Sequence, residues 1–280
     1  MTLRLTKHHG LGNDFLVVFL ADLDVGDGSD AAEPVAEDDV ARLALELCDR
    51  RTGIGADGLL VAGSADGYAA TMTLFNADGS RAEMSGNGIR CFAQAVAARR
   101  GDLGPQLIAT DAGDRVVTLA STDDPRVITA QVEMGEVGDL DEPDGWSALE
   151  AHPDRPVAHL SLGNPHSVVG VDDVRSVDLD TLGAKVPHVN LEIVEPGPEP
   201  NAITMRVHER GAGVTAACGT GACAAAHAAR RWGLVPAAEP EVVVHMDGGH
   251  AIVSFDPDDT RRAVLTGPAT MVATIEVDRT

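Results

Sequence analysis

Two positions in this 280-residue chain combine a nucleophile-class side chain with a Gly-x-Gly run that opens a helix. Cys218 precedes Gly219-Thr220-Gly221, and Ser85 precedes Gly86-Asn87-Gly88. A helix start leaves backbone N–H groups without intrahelical partners, glycine lets a ligand approach closely, and the helix dipole favours an anion there. One such start is equally read as ordinary capping glycine; two in equivalent places suggest helix tips that hold one carboxylate, or two. A cysteine at a helix N-terminus has its thiolate stabilised by the dipole, so Cys218 is a candidate base or nucleophile, against the alternative of a small buried residue. Cys91 and Cys223 lie deeper in the helices. At ~1.5 Å and ~100° per residue, Cys91 is about 9 Å and about 240° from Ser85 and does not take its place.

Polar residues approach both points. Phe75-Asn76-Ala77-Asp78-Gly79 leads to Ser85, Arg206-Val207-His208-Glu209-Arg210-Gly211 leads to Cys218, and Gly163-Asn164-Pro165-His166 ends one strand and begins another. Amide groups grip carboxylate and ammonium, and Arg grips carboxylate in two-point fashion, so the set suits an amino acid. Each residue also has a plainer reading: turn chemistry for Asn76, a satisfied structural histidine for His166, a surface ion pair for Arg210.

The elements that would position these groups read as strands with few helices. Short Val-, Ile-, Leu- and Thr-rich runs bounded by Gly, Pro, Asn and Asp fall at 3–5, 15–20, 59–62, 71–75 and 116–119, then at 157–161, 167–171, 203–208, 242–245, 251–255 and 271–277. Helices are expected over Asp38–Arg50, Gly86–Arg100 and Gly219–Trp232, the last so rich in Ala that it must be buried on most sides. The chain repeats itself. Leu11-Gly12-Asn13 then Val17-Val18 recurs as Leu162-Gly163-Asn164 then Val168-Val169, and the Gly-x-Gly helix starts follow in the same order, both helices ending in Arg-Arg. Ser121–Arg126 reads as the linker, and 138–156 as an excursion of the second half.

Composition narrows the partners. Acidic residues number 44 against 21 basic, a net charge of −23, which disfavours nucleic acid and anionic membrane surfaces. No apolar run approaches the ~20 residues that span a bilayer, and no secretory leader is evident, so a soluble, cytoplasmic protein is expected. Four cysteines without CxxC spacing suit a reducing compartment and do not read as a zinc site.

These residues resemble the diaminopimelate epimerase family. The resemblance rests on His8-His9-Gly10-Leu11-Gly12-Asn13-Asp14-Phe15, Gly53-Ile54-Gly55-Ala56-Asp57-Gly58, Phe75 to Ser80, Ser85 to Phe92, Gly163 to His166, Val189-Asn190, and the specific run Arg206 to Ala224. It implies an α/β fold of α+β type: two pseudo-symmetric domains, each a curved, mostly antiparallel sheet around a central helix. The domains would be 1–125 with 268–280, and 126–267. It also implies a homodimer that interconverts LL- and meso-2,6-diaminopimelate with no cofactor and no metal. Catalytic positions carry over to Cys218 and Ser85, and thiol-tuning roles to His166 and Glu209. Substrate contacts carry over to Asn13, Asn76, Gly86 and Asn87 in the first half. In the second half they carry over to Asn164, Asn190, Glu209, Arg210, Gly219 and Thr220. Inversion needs one group on each face of the α-carbon, and in the family both are cysteines.

Two positions depart from the pattern. Ser85 stands where the first catalytic cysteine belongs, and a hydroxyl has no accessible anion near neutral pH. Gly58 stands where many members carry a Gln. The departure leaves three readings: the epimerase, a one-base dehydratase or racemase of the proline racemase-like superfamily, and a non-catalytic amino-acid-binding protein.

Overall fold

The computed structural model describes residues 2–23 and 36–278. Its compact units are residues 1–130 with 268–280, and 131–267. The division falls inside a strand, Val127–Glu136, and not in the Ser121–Arg126 linker.

In the first unit the strands are β1 (Thr2–Gly10), β2 (Asn13–Phe19), β3 (Gly58–Gly63), β4 (Ala70–Asn76), β5 (Arg81–Ala82), β6 (Gln106–Ala109), β7 (Arg115–Ser121) and β8 (Val127–Glu136). Helix α1 is Leu20–Leu23, α2 is Glu37–Cys48 and α3 is Gly86–Arg100. β1 runs antiparallel to β2, β2 parallel to β3, β3 antiparallel to β4, β4 antiparallel to β5 and parallel to β6, and β6 antiparallel to β7. Apolar alternation assigns the two faces. Leu59 and Val61 join Val40, Leu43, Ala44 and Leu47 of α2 in one cluster. α3 packs against β1, β2, β3, β4 and β7, and every residue from Gly86 to Ala97 is buried.

The second unit repeats this order with β9 (Gly138–Asp139), β10 (Val157–Ser161), β11 (Pro165–Gly170), β12 (Asn190–Pro196), β13 (Ala202–Glu209), β14 (Gly213–Thr215), β15 (Glu241–Met246), β16 (Gly249–Phe255) and β17 (Arg262–Asp278). Helix α4 is Leu179–Gly183 and α5 is Gly219–Trp232. β10 is antiparallel to β11, β11 parallel to β12, β12 antiparallel to β13, β13 antiparallel to β14 and parallel to β15, and β15 antiparallel to β16. Ala-rich α5 is buried at Gly219 to Ala226, Ala228 and Ala229, and it packs against six strands, β10 to β13, β15 and β16. β17 crosses the division: its residues from Pro268 onward belong to the first unit, where they pair antiparallel with β1.

Several elements differ from expectation. The helix expected to reach Arg50 stops at Cys48, because Asp49 turns its carboxylate to the N–H groups of Arg51 and Thr52. β6, β8 and β12 are strands outside the expected runs; β8 alternates plainly, with Ile128, Ala130, Val132 and Met134 buried, whereas β12 does not. In β12 the inward position is taken by Glu192, which is wholly buried, so the run Asn-Leu-Glu-Ile-Val-Glu-Pro does not alternate as an apolar strand should. Among the described residues no helix is long and apolar enough to cross a membrane.

Candidate active site

Each unit presents a helix start with the same backbone. Ser85 caps α3 at φ −138°, ψ 121°, and its Oγ accepts the Gly88 N–H at 3.0 Å. Cys218 caps α5 at φ −130°, ψ 118°, and its Sγ accepts the Gly221 N–H at 3.4 Å. Both helices close on a left-handed glycine, Gly101 at φ 76° and Gly233 at φ 75°. Serine is among the best N-cap residues, so Ser85 gains from the position what a cysteine does not.

In the first unit, Leu11 and Gly12 turn the chain at positive φ, and Asn13 opens β2. Asn13 donates to Asp57 Oδ2 at 2.7 Å and accepts from Asn87 Nδ2 at 3.3 Å, while Arg90 donates to Asn87 Oδ1 at 2.9 Å. Arg90 is fully buried and also donates to Gly86 O. Beside this chain Asp14 bridges Lys7 at 2.9 Å and Arg50 at 2.6 Å. Burial pushes the Asp14 carboxyl up, but hydrogen bonds from Arg50 and Lys7 outweigh it, and the group lies below its ordinary value. Asn76 ends β4, is exposed, and donates to Ser80 Oγ at 3.0 Å, closing the Asn-Ala-Asp-Gly turn.

In the second unit, Gly163 at φ 91° precedes Asn164, which donates to Thr220 Oγ1 at 3.2 Å and accepts at Oδ1 from His166 Nε2 at 3.0 Å. His166 Nδ1 meets Glu192 Oε1 at 2.6 Å, and both residues are 0% exposed. Thr220 Oγ1 lies 3.5 Å from Cys218 Sγ. Asn190 donates to Pro165 O and accepts the Arg210 N–H at 2.9 Å. Glu209, at the end of β13 where β4 carries Asn76, accepts from Thr215 Oγ1 at 2.5 Å.

Sequence reasoning expected a dipole-stabilised thiolate at Cys218. The balance goes the other way: burial pushes this thiol well above its ordinary range, and the carboxylates of Glu209 and Glu192 push it further. Hydrogen bonds from Thr220 and the Gly221 N–H only partly offset them. Cys91 is fully buried, with its thiol pushed up to about 12 by burial, and it lies outside the polar chain of its unit.

The first unit thus assembles Asn13, Gly86 and Asn87 beside Ser85, and leaves Asn76 in its turn. The second assembles Asn164, His166, Thr220 and Gly219 around Cys218, with Asn190, Glu209 and Arg210 on the adjoining strand ends. Sequence reading missed Asp57 and Arg90, which fix the amides of the first unit, and Glu192. The signals were present: a charged residue inside the Gly53–Gly58 loop, and an acid inside an otherwise apolar strand.

A profile described as diaminopimelate epimerase matches residues 5–138 and 159–272. A protein of Cyanothece sp. named diaminopimelate epimerase is 35% identical over 97% of this chain and 98% of its own length. One of Microcystis aeruginosa with the same name is 38% identical over 97% and 98%. Among solved structures, a Bacillus anthracis phenazine biosynthesis protein of the PhzF family superposes over 100% of both chains with a TM-score of 0.73 and 14% identity, a likeness of fold alone.

Proposed function

The chain belongs to the diaminopimelate epimerase family, and on that premise we propose that it interconverts LL- and meso-2,6-diaminopimelate without a cofactor, through Cys218 and position 85. The observation that carries the residue assignment is the pair of matching N-caps, Ser85 and Cys218, at repeat-equivalent helix starts. The substrate carboxylate lies against N–H groups of a helix tip, where oriented dipoles stabilise the charge that develops when the α-proton leaves. As a thiolate, Cys218 takes that proton on Sγ, and the electron pair left on carbon delocalises into the carboxylate. The reverse step, thiol to carbon, needs no further group. Asn13, Asn87, Asn164, Asn190 and Arg210 orient the amino acid, Asn76 borders it, and His166 and Glu209 tune the proton carriers. The same reading makes the protein a cytoplasmic homodimer acting on a free amino acid.

Inversion needs a proton delivered to the opposite face. A hydroxyl at position 85 gives its proton only by becoming an alkoxide, so the chain exchanges the α-proton faster than it inverts the centre. The test is incubation of the protein with diaminopimelate in D₂O, followed by NMR and chiral chromatography. Deuterium should enter the α-carbon at a rate that Cys218→Ala lowers by ~10²–10⁴-fold. Undiminished exchange in Cys218→Ala would remove this residue from the chemistry.

A further inference from the structure

Glu192 is an anomaly in an enzyme core. It is 0% exposed, it sits on β12 beneath the first turn of α5, and its Oε2 has no hydrogen-bond partner among the described residues. A Cβ on Gly221 would stand 2.6 Å from its Oε1. Taking a carboxylate out of water costs several kcal/mol, and a well-packed apolar pair is commonly as stable as a buried ion pair or more so. The protein carries that apolar alternative itself. In the first unit, where the pairing order is the same, Phe15 occupies the place of His166 and Leu60 the place of Glu192. Leu60 likewise lies under the helix start, with Cδ2 3.5 Å from a Cβ placed on Gly88. Fold stability therefore gives no reason to keep Glu192.

The hydrogen bonds supply one. When Cys218 is a thiolate, its sulfur can only accept, so Thr220 must donate its hydroxyl hydrogen to Sγ. The Thr220 oxygen then accepts from Asn164 Nδ2, which leaves Asn164 Oδ1 facing His166 Nε2. That nitrogen must carry a hydrogen. At the far side of the ring, His166 Nδ1 and Glu192 Oε1 share one hydrogen across 2.6 Å. We infer that Glu192 is a positioning residue of the proposed reaction: its carboxylate keeps the His166 ring donating through Nε2, so that the chain His166–Asn164–Thr220 ends with a hydroxyl aimed at the Cys218 sulfur.

The ionisable groups facing Glu192 are His166 on β11, Glu209 on β13 and Cys218 at the start of α5. Glu192 and His166 together are neutral, whichever holds the shared hydrogen. The Glu192 carboxylate by itself pushes the thiol up, but it comes with the hydrogen it shares with His166, so removing it also removes the positive charge that the pair holds beside the sulfur. Removal takes away the charged partner at Nδ1, and a ring without that partner donates more weakly through Nε2. A neutral ring can also adopt the other tautomer, which turns the Asn164 amide round and draws the Thr220 hydroxyl away from sulfur.

This inference rests on Cys218 as the proton carrier, and the test separates the two. Cys48, Cys91, Cys218 and Cys223 are all buried thiols, so each reports on its own surroundings. Iodoacetamide alkylation at one mildly alkaline pH, with each cysteine followed by peptide mass spectrometry, is compared between the unaltered protein and Glu192→Gln. Alkylation of Cys218 should slow by roughly fivefold or more, because the thiolate loses a charge-assisted chain of donors, while the other three cysteines keep their rates. His166→Phe/Glu192→Leu, which installs the apolar pair of the first unit, should fold and slow Cys218 by roughly tenfold or more. An unchanged Cys218 rate in either variant overturns the inference. So does faster alkylation of all four cysteines, since that shows Glu192 merely holds the fold closed. Failure of the underlying reading looks different: α-proton exchange in D₂O would continue undiminished in Cys218→Ala, whatever the alkylation rates.

Discussion

The N-terminus of α3 and the N-terminus of α5 share a backbone to within a few degrees, and they do not share a chemistry. One is capped by a half-buried hydroxyl over Phe15 and Leu60. The other is capped by a buried thiol over His166 and Glu192. The polar support differs as well. In the first unit a buried guanidinium of the helix itself, Arg90, and a carboxylate, Asp57, fix Asn87 and Asn13. In the second the support runs beneath the helix and ends at the sulfur. A duplicated backbone therefore sets where a cap, two glycines and an asparagine must stand. It does not set the acidity of what the cap holds, because acidity depends on burial and on the charges brought beside it, Glu209 and Glu192 at Cys218.

If the comparison is sound, the largest change comes from making the caps alike. Ser85→Cys should raise the rate of inversion by ~10²-fold or more, since a thiol can supply the second proton, with a far smaller gain in α-proton exchange. Chiral analysis of the product gives the ratio, and an unaltered inversion rate would take position 85 out of the mechanism. The substitution should also lower stability by about 0.5–1 kcal/mol, because sulfur caps a helix less well than a hydroxyl does. A second consequence concerns pH. Burial and two carboxylates hold the Cys218 thiol above its ordinary range, so its base form is scarce near neutrality. Exchange should climb about tenfold per pH unit through about pH 7 to 9 without levelling, whereas a plateau there would mean the thiol is not displaced. The smallest expected effect is on packing. Gly221→Ala pushes a methyl against Glu192 Oε1 and should destabilise by about 1–3 kcal/mol. Gly88→Ala meets Ser85 Cβ at 3.0 Å and should cost under about 1 kcal/mol, since alanine's better helix propensity offsets the crowding. Equal losses in denaturant titrations would mean that Glu192 yields freely, and that its place under α5 is not tightly held.

Much of this was legible in the residues. The Gly-x-Gly starts, the Arg-Arg ends and the stopping glycines bracket α3 and α5, and the repeated Leu-Gly-Asn turn announces a duplicated order of strands. The alanines of α5 foretell its burial. What stayed illegible depended on neighbours distant in the chain. β12 hides because its inward acid looks like a surface residue until His166 is seen across the parallel pair. Asp57 reads as a loop residue until Asn13 and Arg50 close on it, 44 and 7 residues away. The thiol at Cys218 reads as activated by its helix dipole until its burial and the two carboxylates are counted against it.

By itself the sequence determined the family, the duplicated architecture and the two positions at which a cap meets a Gly-x-Gly tip, because these depend on local patterns of glycine, polar residues and apolar period. Tertiary structure alone decided which way the Cys218 thiol is pushed. That direction depends on solvent exclusion and on charges brought near by strand pairing, and neither has a signature within the few residues that surround the cap.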